Sequence, residues 1–126
     1  MGYQHFNNNP HGLSVGDCVV RAISKILDTT WDSVYIELVT QGLMMSDMPS
    51  ANSVWGSYLK NKGFKRSAVS NLCPDCYTVR DFVQEHQNGK YILATGTHTV
   101  AAINGDYFDS WDSGDEMPVY YWYKEE

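Results

Sequence analysis

The sequence predicts an α+β fold in which N-terminal helices pack on a small C-terminal antiparallel β-sheet. Up to Asn88-Gly89, apolar residues recur at helical spacing behind capping residues. Beyond that point, short apolar stretches are separated by Gly-containing turns, with Asn104-Gly105 as a hairpin signal. A length of 126 residues bounds the chain to one domain, 1–126, with a single core.

The first dozen residues, with Asn7-Asn8-Asn9-Pro10-His11-Gly12, read as a polar loop because Asn, Pro and Gly favour turns. Asp17 is placed to cap a helix whose apolar face is Val19, Val20, Ile23, Ile26 and Leu27, with Arg21, Ser24 and Lys25 on the polar side. Thr30 caps a second helix through about Leu43, with Trp31, Val34, Tyr35 and Leu38 on one face and Gly42 marking an end nearby. Met44 to Ser50 reads as a connecting loop whose methionines cover the core or wall a substrate site.

A third helix is expected from about Asn52 to Asn61, carrying Val54, Trp55, Tyr58 and Leu59 and stopped by Gly63. Phe64-Lys65-Arg66 is too short to assign. Thr78-Val79-Arg80-Asp81 resembles a capping box, with Asp in place of Glu, for a fourth helix ending at Asn88-Gly89. Tyr91 to Thr95 reads as a strand buried on both faces, and His98 to Ile103 as a second. Asn104-Gly105 suits a type I′ turn, so Asp106-Tyr107-Phe108 returns antiparallel, and a last strand spans Val119 to Tyr123.

Composition narrows the function. Apolar residues make up 43% of the chain and charged residues 19%, ordinary for a soluble protein, and no apolar run approaches the ~20 residues of a membrane span. A net charge of -6 with nine Lys and Arg argues against nucleic acid as partner. Met1 to Phe6 has neither the basic nor the apolar region of a secretory signal, and Phe6 stands where myristoylation wants Ser or Thr. A cytoplasmic location away from membranes is expected, and the odd count of three cysteines points to reduced thiols rather than a disulfide framework.

Cys18 follows Gly16-Asp17 at the head of the first helix, where unpaired N–H groups and the positive end of the dipole favour a thiolate. Those N–H groups also suit a developing oxyanion. His98 opens a strand after Thr95-Gly96-Thr97, small residues that leave room for a neighbouring side chain and a substrate. His5 and His11 lie in the N-terminal loop, and His86 reads as a surface residue at a helix end. Counting outward from Asn104-Gly105 pairs Ile103 with Asp106, Ala101 with Phe108 and Val100 with Asp109. That register brings Asp109 within about two residues of His98 and favours it over Asp112 as the carboxylate that orients the imidazole.

Gly16-Asp17-Cys18 opening a helix, His98 opening a strand, and Asp109-Ser110-Trp111 together resemble the small papain-like cysteine peptidases of bacterial and phage type, related to the peptidase C39-like proteins. The resemblance spans roughly Asn7 to Tyr123. It implies a papain-like fold with Cys18 as nucleophile, His98 as general base and acid, Asp109 as orienter, and Trp111 shielding the His–Asp contact. Peptide or isopeptide bonds are the implied substrates, in peptides or proteins, and no cofactor is implied. A cell-wall amidase or a transglutaminase-like acyltransferase uses a similar order. One departure concerns the Gln that papain relatives place before the cysteine, a position that falls here at Gly12. Gln4, Asn7, Asn8 and Asn9 are the available side-chain oxyanion donors, with Asn9 singled out.

Two rival readings stand beside this one. A papain-like scaffold without turnover would hold a phage or host partner in its groove, which is favoured if the Asn7 to Asn9 side chains point away from Cys18. A plain structural domain would bury Cys18 far from His98. Cys73-Pro74-Asp75-Cys76 reads as a pair of structural cysteines; its spacing is also half of a zinc site, which His5, His11 or His86 could complete, but with no clear second half. A redox role would want a βαβ setting that the pattern lacks, and no metal is expected.

Overall fold

In the computed structural model, which describes residues 2–69 and 77–124, the chain runs in the order β1 (Gly2–His5), α1 (Cys18–Leu27), α2 (Trp31–Met45), α3 (Asn52–Asn61), β2 (Lys65–Ala68), α4 (Val79–Glu85), β3 (Lys90–Ala94), β4 (Thr99–Ile103), β5 (Asp106–Asp109) and β6 (Tyr120–Tyr123). The class is α+β, as the sequence predicts. The sheet differs from the expected C-terminal antiparallel one. It is mixed and six-stranded, ordered β1-β5-β4-β3-β6-β2, and β1 joins β5 in parallel. Two of its strands, β1 and β2, therefore come from segments before Gly89, where only helices and loops were expected. Gly2–His5 was expected as loop, but its edge position needs only backbone pairing and a hydrogen bond from the Gly2 amide to the Asp106 side chain.

The turn at Asn104-Gly105 sets the register of the central hairpin. Both residues have positive φ, 49° and 89°, as a type I′ turn demands. Ile103 then lies opposite Asp106, Ala102 opposite Tyr107 and Ala101 opposite Phe108, the pairing counted from the sequence. Side chains on neighbouring residues of a strand leave by opposite faces. Ile92, Ala94 and Ala101 accordingly join the α1–α3 side of the core with Ile23, Leu38, Trp55 and Leu59. Leu93, Val100 and Ala102 join Val79, Phe82 and Val83 of α4. The two-sided burial expected of residues 91–95 thus comes from helices on both faces of the sheet.

Local chemistry accounts for most helix ends. Thr30 accepts from the Ser33 amide, and Thr78 and Asp81 form a reciprocal capping box. The fourth helix stops at Glu85, four residues short of Gly89, because His86 turns out of helical geometry and stacks on Phe82 with ring centroids 3.8 Å apart. The second helix continues past Gly42 to Met45 and ends on Ser46 in the left-handed region. Gly42 serves close packing instead: a Cβ there would lie 2.7 Å from the Asp47 carbonyl oxygen. Among the described residues no helix is long and apolar enough to cross a membrane.

Gly42→Ala is expected to destabilise the protein. Pushing the Asp47 backbone aside costs about 1–3 kcal/mol as an overpacking defect, which exceeds the helix-propensity gain of up to ~1 kcal/mol. A urea denaturation midpoint equal to or above that of the parent chain would contradict this.

Candidate active site

Cys18 is the first residue of α1, His98 directly precedes β4 and Asp109 ends β5, so the α1–sheet packing and the hairpin register decide whether the three meet. They do. His98 Nε2 lies 2.5 Å from Asp109 Oδ2, which leaves Nδ1 as the nitrogen available to Cys18. Cys18 is a free, half-buried thiol lining a cavity of about 590 Å³ that His98 also lines. It is not a core thiol remote from His98.

The electrostatics favour the charged pair. Burial pushes the Cys18 thiol up, but His98, by hydrogen bonding and by charge, and the Thr99 backbone and hydroxyl together bring it below its ordinary value. Burial likewise pushes His98 down, and its contacts with Asp109 and Cys18 outweigh this and raise it to about 9. Asp109 is pushed up by burial and brought below its ordinary value by hydrogen bonds from His98, Ser113 and the Ser110 amide. Both shifts run toward a thiolate beside an imidazolium, the reactive form of a cysteine nucleophile.

The surroundings of Asp109 extend beyond the sequence-based reading. Its carboxylate is 1% exposed. Arg21 Nη2 donates to Oδ1 at 2.9 Å, the Ser110 amide donates to the same oxygen at 2.8 Å, and Ser113 Oγ donates to Oδ2 at 2.6 Å. Arg21, expected on the polar face of α1, is 6% exposed, and its Nη1 also pairs with Asp17. A helical face predicted from apolar spacing alone could not reveal this, because the partner that draws Arg21 inward lies on β5. An aspartate four residues before it, at helical spacing, was the available clue.

Asp17 departs from its expected role. It occupies the N-cap position but adopts φ -110° and ψ 23° and makes no side-chain cap. Its carboxylate instead accepts from Arg21 Nη1 and, at 2.9 Å, from Trp31 Nε1. The helix head therefore keeps amides without a side-chain cap beside the cavity, which Gly16, Asp17, Cys18, Val19 and Val20 border.

Asn9 is not placed to serve as oxyanion donor. Its Oδ1 accepts from the His11 and Leu13 amides and shapes the loop, and the residue does not line the cavity. Asn7 donates to the Leu13 carbonyl, Asn8 donates to Ser24 Oγ, and Gln4 is paired in β1. Asn7 and Asn9 bond backbone within their own loop, as Asx side chains readily do, whereas Asn8 reaches Ser24 of α1. Trp111 does lie against His98, with ring centroids 5.0 Å apart, although it is 46% exposed. His5 contacts the Tyr3 hydroxyl, His11 is exposed and His86 stacks on Phe82, so none of these joins Cys18. Asp112 meets Tyr107 and Arg80 instead of His98.

Among the described residues no group of three or more His, Cys, Asp or Glu is arranged to hold a metal. Cys73-Pro74-Asp75-Cys76 lies outside the described residues. Comparison with protein-family models, curated proteins and solved structures gives no match.

The raised His98 value carries a pH signature. Below its ordinary value of 6.5 the imidazole is protonated whether folded or unfolded, so its interactions in the folded state contribute fully to stability. That contribution fades between 6.5 and about 9 and is absent above. The stability advantage of the parent chain over Asp109→Asn, measured by urea titration, is therefore expected to shrink as pH rises through this window. A difference that stays constant or grows would contradict the assignment.

Proposed function

We propose that the chain is a cysteine hydrolase of papain-like architecture, similar to the peptidase C39-like proteins, that cleaves peptide or isopeptide bonds in peptide or protein substrates. The observation that carries this reading is His98, held between the Cys18 thiol and the buried Asp109 carboxylate at the edge of a cavity. No nucleic acid, membrane, metal or cofactor enters the proposed reaction, and the reducing cytoplasm is the proposed setting.

In the mechanism, Cys18 thiolate attacks the carbonyl carbon to form a C–S bond and a tetrahedral oxyanion. The uncapped amides at the head of α1 are the donors proposed for that oxyanion. Collapse breaks the C–N bond as the His98 imidazolium gives its proton to the departing amine, leaving a thioester. Water, losing a proton to His98, attacks the thioester, releases the carboxylic acid product and restores the thiolate. Asp109 stabilises the imidazolium and fixes its orientation throughout.

The cavity supports an apolar or aromatic group on the acyl side of the scissile bond. Val20, Leu38, Trp55 and Tyr120 wall it, and a stacked Trp31–Tyr35 pair, ring centroids 5.0 Å apart, stands at its edge. No lysine, arginine or glutamate lines it, and its one aspartate, Asp17, is already paired with Arg21, which disfavours a charged acyl side chain.

One observation favours the binding-module reading as the runner-up: none of the Gln4, Asn7, Asn8 or Asn9 side chains lines the site. Losing one oxyanion donor costs ~10²–10³ in rate. Turnover therefore rests on the backbone amides.

Iodoacetamide labelling followed by mass spectrometry tests the nucleophile. Cys18 is expected to react faster than Cys73 and Cys76 at neutral pH, and His98→Ala is expected to slow it by about tenfold or more. Equal rates at the three cysteines, or indifference to His98→Ala, would sink the hydrolase reading. Incubation with peptides bearing apolar residues, with and without an added primary amine, then separates the chemistries. Hydrolysed product denotes the hydrolase, amine-linked product the acyltransferase, and a labelled Cys18 without either product the binding module.

A further inference from the structure

Arg21 brings a full positive charge into the interior one turn along α1 from the nucleophile, and the proposed reaction does not consume it. We infer that Arg21 is a positioning residue, which holds Asp109 in register with His98 while drawing Asp17 off the amides at the helix head. This deepens the hydrolase reading and rests on it.

A guanidinium is a planar fork with donors fixed in direction. One arm of Arg21 reaches Asp109 Oδ1 at 2.9 Å and the other pairs with Asp17. With Oδ1 taken by Arg21 and the Ser110 amide, Oδ2 is the oxygen presented to His98. On its other side, the fork holds a carboxylate that at an N-cap would ordinarily fold back onto the first-turn amides. With Arg21 and Trp31 as its partners, Asp17 caps nothing. One side chain thus serves both the histidine and the proposed oxyanion donors.

Charge balance points the same way. Around Cys18 and His98, the N-cap position contributes Asp17, α1 contributes Arg21 and β5 contributes Asp109. From β1 the neutral Tyr3 hydroxyl donates to the Asp109 carbonyl at 3.1 Å. Beyond it, Asp112 is paired with Arg80 and Tyr107. With Arg21 present, two cations face Asp17, Asp109 and the thiolate. Without it His98 alone faces all three, and the thiolate is the anion that can escape by taking a proton. Lysine keeps the charge but lacks the second arm, so Arg21→Lys separates position from charge.

The test is the pH profile of Cys18 alkylation by iodoacetamide in the parent chain, Arg21→Lys and Arg21→Met, with near-ultraviolet circular dichroism as the check of folding. The rate in Arg21→Lys is expected to fall about tenfold at pH 6, with the acid limb moved upward and the alkaline plateau kept. A residue that only stabilised the fold would lower the melting temperature and leave the limb in place, and that result would overturn the inference. If the parent chain alkylates Cys18 no faster than Cys73 and Cys76, the hydrolase reading fails and takes the inference with it. A fast parent with an unchanged Arg21→Lys profile sinks the inference alone. Should neither variant fold, the Arg21 Nε–H resonance of the parent chain decides by nuclear magnetic resonance. It is expected to shift along with the titration of His98, and a resonance that stays fixed overturns the inference.

Discussion

The buried carboxylate of Asp109 is the constraint around which the rest is arranged. An ionised carboxylate out of water is strongly unfavourable unless donors replace its hydration. Here they come from His98, Arg21, the Ser110 amide and Ser113. They arrive from the start of β4, from α1 and from the loop after β5. Satisfying one side chain therefore fixes three separate segments relative to each other, and the geometry of His98 follows from that. Removing a single donor leaves the others around a charge that is still buried, which makes such a centre cooperative and intolerant of partial loss.

This placement explains how a half-buried thiol can be held below its ordinary value. Burial alone raises the Cys18 thiol and lowers the His98 imidazole, which would leave both neutral. The charges and donors clustered around them reverse the outcome, and they are effective because the site is partly shielded from water. The reversal depends on rigidity. β4 and β5 are joined by a two-residue turn, and the sheet between α1–α3 and α4 is covered on both faces. Side chains mounted on such elements keep their relative positions better than side chains on loops.

Much of this was legible in the sequence, for local reasons. Asn104-Gly105 demands positive φ at two successive residues, so it fixed the hairpin, and the hairpin put Asp109 beside His98. Thr30 and Thr78 announced helix starts through hydrogen bonds spanning only three residues. Elements held by distant partners were harder to read. Gly2–His5 and Lys65–Ala68 become strands because an edge of the sheet is free to receive them, and neither has the alternation of a self-evident strand. Arg21 was assigned to the surface by its chemistry and lies inside because Asp109 lies inside. Asp17 had the right residue type for a cap, but the stronger charge partner one turn away claimed it.

The fate of Asp17 links the parts of the site. A helix head can stabilise an anion only if its amides are not already satisfied, and an aspartate at the N-cap position is among the best groups for satisfying them. The two demands conflict wherever a nucleophile directly follows a capping residue. In this chain, where Cys18 is the proposed nucleophile, Asp17 is given better partners, the Arg21 guanidinium and the Trp31 indole. Those partners are not idle elsewhere: Arg21 also holds Asp109, and Trp31 stacks on Tyr35 at the cavity edge. The cavity, the helix head and the His–Asp pair are thus joined through one continuous set of polar contacts. A group entering the cavity against Trp31 would press on the same contacts that leave the amides open, so substrate binding and oxyanion stabilisation are physically adjacent events in the proposed reaction.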